Sequence, residues 1–343
     1  MTQTETQMRR EITEIPVAVE RLLRDGTEAV DAAVAGLKAA DPAFIISVAR
    51  GSSDHVATYF KYASELLMGV PVASVGPSVA SIYKAKLRLA QSACLSISQS
   101  GRSPDIVEMT RMAAGSGSLS VAVTNNAGAP LAGAADHVLD LHAGPELSVA
   151  ATKTFVTSAV AVVWLLAKWR GDRDLLRAVE GLPEVLEKAV QEDWPEFREV
   201  AEPVNSLFCL GRGPAYAVSC EAALKFKETC LLHAESYSSA EVLHGPVSIV
   251  GDGFPVIGFC ARDEAAPALV SVADELADKG GQVFVTSAQA KKATCLTAWR
   301  TGHPLTDPIS MMSSFYSMVE RLAVQRGINP DAPRHLKKVT ETV

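Results

Sequence analysis

Residues 93–105 read ACLSISQSGRSPD. Ala93 to Ser98 form a short run of apolar and β-forming residues, and Gln99 to Ser103 are polar residues or glycine. A strand that ends in a Ser/Gly turn and is followed by a helix beginning after Ser103 accounts for this order. Similar runs occur nearby: FIISVA at 44–49, PVASVG at 71–76 and SLSVAV at 118–123, each followed by a longer segment of helical pattern. That alternation predicts an α/β layered fold. The strands are nearly continuous apolar runs, so both faces of a mainly parallel sheet are expected to be covered by helices, in a doubly wound, flavodoxin-like arrangement.

The pattern returns later in the chain. SVARG ending at Gly51 matches CLGRG ending at Gly213, CLSIS beginning at Cys94 matches VIGFC beginning at Val256, and SVAVTN beginning at Ser120 matches QVFVTS beginning at Gln282. Each pair is 162 residues apart, a register that unrelated apolar runs would rarely keep across three strands. The expected organisation is a helical arm over 1–40, a first α/β unit over 41–170, connecting helices over 171–204, a second unit over 205–330 and a tail over 331–343. EIPVAVERLLRDGTEAVDAAVAGLKAA, in the arm, has apolar residues at helical spacing and predicts one or two helices.

Composition narrows the partners. With 343 residues, 48% of them hydrophobic and 21% charged, the chain can bury two cores. A net charge of −7 argues against a broad nucleic-acid footprint, although a local pocket can still hold one phosphate. The opening MTQTETQMRR has no apolar signal segment, and Ala150–Trp169, the longest apolar stretch, is interrupted by Lys153, Thr154, Thr157 and Ser158. A buried helix, no membrane span and a cytoplasmic location are expected. Six scattered cysteines without a CxxC pair read as reduced core thiols rather than a zinc site.

Five segments carry the polar residues suited to chemistry. In SISQSGRSPD, Ser98, Gln99, Ser100 and Ser103 are candidate phosphate ligands at a helix N-terminus, with Gly101 letting the backbone curl. ARGSSDH, at 49–55, adds Arg50, Ser52 and Ser53 at a second strand-to-helix turn, and two such turns at strand C-termini can converge on one ligand. CEAALKFKET, at 220–229, sets Glu221, Lys225 and Glu228 on one helix face, where a solvated charged stripe is the default. HAESYSSAEVLHGP, at 233–246, holds His244 next to a Gly-Pro pair, and DAPRHLKK ends in Lys337 and Lys338, ordinarily an exposed basic tail. GRGPAY begins like a dinucleotide loop but has Tyr216 in place of the third glycine, which disfavours nicotinamide binding.

Together with AGPELSVAATKTF at 143–155, these segments resemble, in order and over nearly the whole chain, the isomerase half of glucosamine-6-phosphate synthase. The resemblance implies two tandem sugar isomerase (SIS) subdomains. It assigns Ser52, Ser53, Ser98, Gln99, Ser100, Ser103 and Ala151 to a phosphosugar pocket. It also makes Glu228 the isomerising base, His244 the ring-opening histidine, Lys338 a Schiff-base lysine and Lys225 a supporting cation. Ala151 stands where the family commonly has serine, and Lys337 where it has a small residue. The synthase's N-terminal glutaminase carries a cysteine after the initiator methionine, whereas position 2 here is Thr2. The pattern is thus similar to the stand-alone SIS-type deaminases, which convert glucosamine 6-phosphate to fructose 6-phosphate and ammonia. That chemistry implies no metal, nicotinamide or pyridoxal cofactor, a phosphorylated amino sugar or ketose as partner, and a homodimer in which His244 serves the neighbouring pocket. An aminotransferase and a non-catalytic phosphosugar-binding regulator are the alternatives.

Overall fold

The structure is a computed structural model that describes residues 5–338. The chain opens with three helices: α1 (Gln7–Thr13), then α2 (Ile15–Asp25) and α3 (Thr27–Ala40), which fill the stretch whose pattern predicts one or two. Pro16 explains one break: it sits in the first turn of α2, where no N–H is needed, and could not continue α1. Then come β1 (Phe44–Val48), α4 (Ser52–Met68), β2 (Val72–Ser74), α5 (Ser78–Ser81), β3 (Ser92–Ile97), α6 (Pro104–Gly115), β4 (Leu119–Thr124), β5 (His137–Asp140), α7 (Lys153–Arg170) and α8 (Arg173–Glu180). The remainder runs α9 (Leu182–Ala189), α10 (Pro195–Ala201), β6 (Ser206–Gly211), α11 (Ala215–Cys230), β7 (His233–Ser238), β8 (Pro255–Gly258), α12 (Ala266–Asp278), β9 (Gln282–Val285), β10 (Thr294–Cys295) and α13 (Asp307–Gln325).

Two compact units result. Among the described residues, one comprises 17–146, 153–180 and 337–338, and the other 5–16, 147–152 and 181–336.

The first unit holds a five-stranded parallel sheet in the order β2-β1-β3-β4-β5. Ile46, Val48, Ile106, Met109 and Ala122 form part of its core. Strand order reverses between β1 and β3, and there Val48 stands beside Ser96. The turns that follow these two strands therefore leave the sheet side by side, at the switch point where open α/β sheets place ligands. The long apolar stretch forms α7, which packs on α3 and α4 and is buried at every position from Lys153 to Ala167. Its polar residues bond locally, as Ser158 does to the Thr154 carbonyl at 2.7 Å. No helix among the described residues is long and apolar enough to cross a membrane.

The second unit holds the sheet β10-β9-β8-β6-β7, again parallel throughout, which read from β7 is the order of the first. The 162-residue offset of the sequence motifs carries Phe44, at the start of β1, onto Ser206, at the start of β6. Phe208, Val256, Leu269 and Val283 belong to one core cluster. Aromatic rings build another: Phe197 meets Phe284 edge-on at 5.3 Å, and Phe226 meets Phe315 at 5.1 Å. Such pairs contribute about 0.5–1.5 kcal/mol each beyond the area they bury. Trp194, with φ of 42°, turns the chain into α10 and anchors it through an indole bond to the Thr297 carbonyl at 2.8 Å.

Candidate active site

In the first unit, the turn between β3 and α6 is shaped by Gly101. Its φ is +62°, and a Cβ there would lie 2.7 Å from the Ala129 Cβ and 2.9 Å from the Thr124 hydroxyl, so both conformation and space require glycine. Backbone bonds fix the loop: the Asn125 N–H donates to the Gln99 carbonyl at 3.0 Å and the Leu131 N–H to the Gly101 carbonyl at 3.0 Å. Ser98 is buried, while Gln99, Ser100 and Ser103 are half-buried. Ser103 occupies the N-cap of α6 with extended geometry, yet its hydroxyl makes no capping bond, and Pro104 follows in the first turn. The Ser100 hydroxyl accepts the Arg102 N–H at 3.3 Å.

Ser52 and Ser53 open α4 on the adjacent turn and are half-buried. Arg50, read from sequence as a further anion ligand, instead bonds Asp105: its Nε and Nη2 donate to Oδ2 at 2.9 and 2.7 Å. Asp105 is fully buried, and its Oδ1 receives the Ile106 N–H at 2.9 Å. The pair ties the two turns together and leaves the Arg50 side chain about half exposed. Burial pushes the Asp54 carboxyl above its ordinary pKa against the pull of His55 and Arg50.

A second cluster in this unit involves the tail. Lys338 is not a free basic end; its Nζ lies 3.1 Å from Glu146 Oε2. Glu146 also accepts the Thr154 N–H at 3.0 Å and the Thr154 hydroxyl at 2.6 Å, while Lys153 donates to the Pro145 carbonyl at 2.8 Å. Sequence reasoning passed over Glu146 and Thr154, although both lie in the AGPELSVAATKTF segment.

In the second unit, β6 turns into α11 through Gly211, where a Cβ would meet the Ala215 carbonyl oxygen at 2.5 Å. The charged face of α11 is not solvated. Glu221 and Lys225 are wholly buried, and the Glu228 side chain keeps one-fifth of its exposure. Lys225 Nζ lies 3.2 Å from Glu221 Oε1 and 2.5 Å from Glu228 Oε2. Burial opposes the Lys225 charge, but the two carboxylates outweigh it and hold its pKa above the usual value. The Tyr316 hydroxyl donates to Glu221 Oε1 at 3.0 Å, a partner that sequence spacing could not reveal.

His244 ends a 3-10 turn (Glu241–His244), is exposed, and has no hydrogen bond among the described residues. It is therefore not joined to the α11 charges. Ala151, in the 147–152 segment of this unit, is half-buried and offers a ligand only its methyl and backbone. No group of three or more His, Cys, Asp or Glu among the described residues could hold a metal ion.

A family model for the SIS domain matches residues 39–168 and 202–324. Among curated proteins, the glutamine–fructose-6-phosphate aminotransferase [isomerizing] of Methanothermobacter thermautotrophicus is 30% identical over 339 residues, or 96% of this chain and 56% of that protein. The chain thus spans little more than half the length of that relative. A solved structure described as a "putative phosphosugar isomerase" from Silicibacter pomeroyi DSS-3 is 60% identical, with a TM-score of 0.93 and coverage of 95% of this chain and 100% of that one. The C-terminal domain of glucosamine-fructose-6-phosphate aminotransferase from Francisella tularensis is 25% identical, with a TM-score of 0.82 and coverage of 97% and 99%.

Proposed function

The chain belongs to the SIS domain family, and from that premise we propose that it is an isomerising deaminase converting glucosamine 6-phosphate to fructose 6-phosphate and ammonia. The observation that carries the reading is Glu228, a partly exposed carboxylate held at 2.5 Å by a buried ammonium whose second partner is buried. Such a group is held in one orientation by its neighbour rather than left as a solvated surface charge. The Ser-rich turns after β1 and β3 supply neutral donors for a phosphate.

In this reading His244 moves a proton between O1 and O5 and opens the sugar ring. Glu228 removes the C2 proton, acidified by the adjacent C1 aldehyde, and an enolamine forms. A proton returns to C1, giving a C2 imine with a C1 hydroxymethyl group. Water adds to C2 and ammonia leaves, so the ketose is produced without net oxidation. Lys338 would engage the ketose carbonyl as an imine, losing one water, and Lys225 would hold the Glu228 carboxylate in place. The reading includes a homodimer in which His244 serves the partner's pocket, and the exposure of His244, Leu243 and Ile249 is compatible with that.

Incubation with glucosamine 6-phosphate should release ammonia and fructose 6-phosphate in equal amounts. The names of the aligned relatives favour a second reading, amination of fructose 6-phosphate. Net glucosamine 6-phosphate formation from ammonia or glutamine, with no deamination, would select it. Binding without turnover in either direction would leave a regulator. For the dimer, mixed Glu228→Gln and His244→Ala proteins should regain part of the activity on subunit exchange.

A further inference from the structure

Tyr316 lies in the middle of α13, which packs on α11. Tyr316, Glu221 and Lys225 have no exposed surface. A line of contacts therefore runs from the Tyr316 hydroxyl to Glu221 Oε1 at 3.0 Å, on to Lys225 Nζ at 3.2 Å, and from there to Glu228 Oε2 at 2.5 Å. Glu320, one turn further along α13, does not compete for these groups, because its oxygens are occupied by Arg9 and Thr6.

An ammonium set between two carboxylates settles according to what else satisfies each of them. Glu221 Oε1 already accepts the tyrosine proton, which reduces its hold on Lys225, and the ammonium stands nearer to Glu228. We propose that Tyr316 is a positioning residue for the proton-transfer step: by bonding Glu221 it lets Lys225 lean toward Glu228 and fix the orientation of that carboxylate. The inference rests on the reading of Glu228 as the base. It adds a residue from a different helix, 95 positions away, that acts through Glu221 and Lys225.

Tyr316→Phe removes only the hydroxyl. Crystal structures of the full-length wild type and variant should show Lys225 Nζ moving toward Glu221 and away from Glu228 in the variant. The rate of C2 hydrogen exchange on glucosamine 6-phosphate should fall roughly tenfold with KM unchanged, since the contact serves the transition state. In a double-mutant cycle, Tyr316→Phe should cost nothing further once Glu221→Gln is present. Unmoved Nζ distances, an unchanged exchange rate, or penalties that multiply across the cycle would each overturn the proposal. A wild type that exchanges no C2 hydrogen would sink the reading of Glu228, and the Nζ distances alone would then decide the role of Tyr316.

Discussion

Lys338 and Glu146 form an ion pair across 192 positions of sequence, with the Glu146 carboxylate fully buried and the Lys338 side chain one-quarter exposed. Thr154 bonds the same carboxylate twice from the first turn of α7, so the anion is held from its own segment as well as by the lysine. Glu146→Gln should leave the Thr154 hydroxyl contact to the side-chain carbonyl but free the tail. Borohydride trapping of fructose 6-phosphate on Lys338, followed by peptide mass spectrometry, should drop severalfold. Equal trapping in wild type and variant would mean that the pair has no part in presenting the lysine.

Phosphate capture by the β3–α6 turn is testable through its hydroxyls. Each hydrogen bond to a charged group is worth about 1.5–3 kcal/mol, so Ser100→Ala should raise the dissociation constant for a sugar phosphate roughly tenfold or more. The Ser98→Ala, Ser100→Ala double variant should weaken binding further while leaving affinity for the unphosphorylated sugar unaltered. Calorimetry on the folded variants reads both, and unchanged phosphosugar affinity would defeat the assignment.

Glu228→Gln keeps the volume and polarity of the side chain but cannot accept a proton. Deuterium exchange at C2, followed by NMR, should fall by ~10²–10⁴, the usual worth of a general base. Substrate should still bind. Wild-type exchange in this variant would require another base.

The thiols give a prediction independent of the reaction. Burial pushes Cys94 and Cys260 up to about 11 and Cys230 up to about 12, and raises Cys209 well above the usual thiol range. At pH 8 a thiol of pKa 11 is ionised to only about one part in a thousand, and the thiolate is the reactive form. Ellman's reagent should therefore titrate the exposed Cys295 quickly, the half-buried Cys220 more slowly, and the other four only after unfolding. Fast reaction of three or more thiols in the folded protein would contradict this packing.

Local features of the fold could be read from the chain because they are written locally. The strand runs, the Ser/Gly turns and the 162-residue register each depend on neighbouring residues, and both sheets form in the same strand order. What the sequence hid were pairings between distant segments. The EAALKFKET face reads as a solvated stripe when only its i, i+4 and i+7 spacing is known, but α13 lies over it and Tyr316 supplies a bond that spacing cannot encode. The pairing of Arg50 with Asp105 was likewise hidden, and Lys338 reads as a loose end until Glu146 pairs with it. In the last two cases the missing information was the buried counter-charge.

Gly101 has a consequence for how variation in this loop should be interpreted. An L-residue there would have to hold a φ of +62° and force its Cβ to 2.7 Å from Ala129. A saturation library selected only for soluble expression, with no sugar present, should therefore return glycine at this position, while the half-buried Ser100 and Ser103 vary more widely. Invariance at Gly101 would then record the demands of folding, and only the serines would report on what the pocket holds.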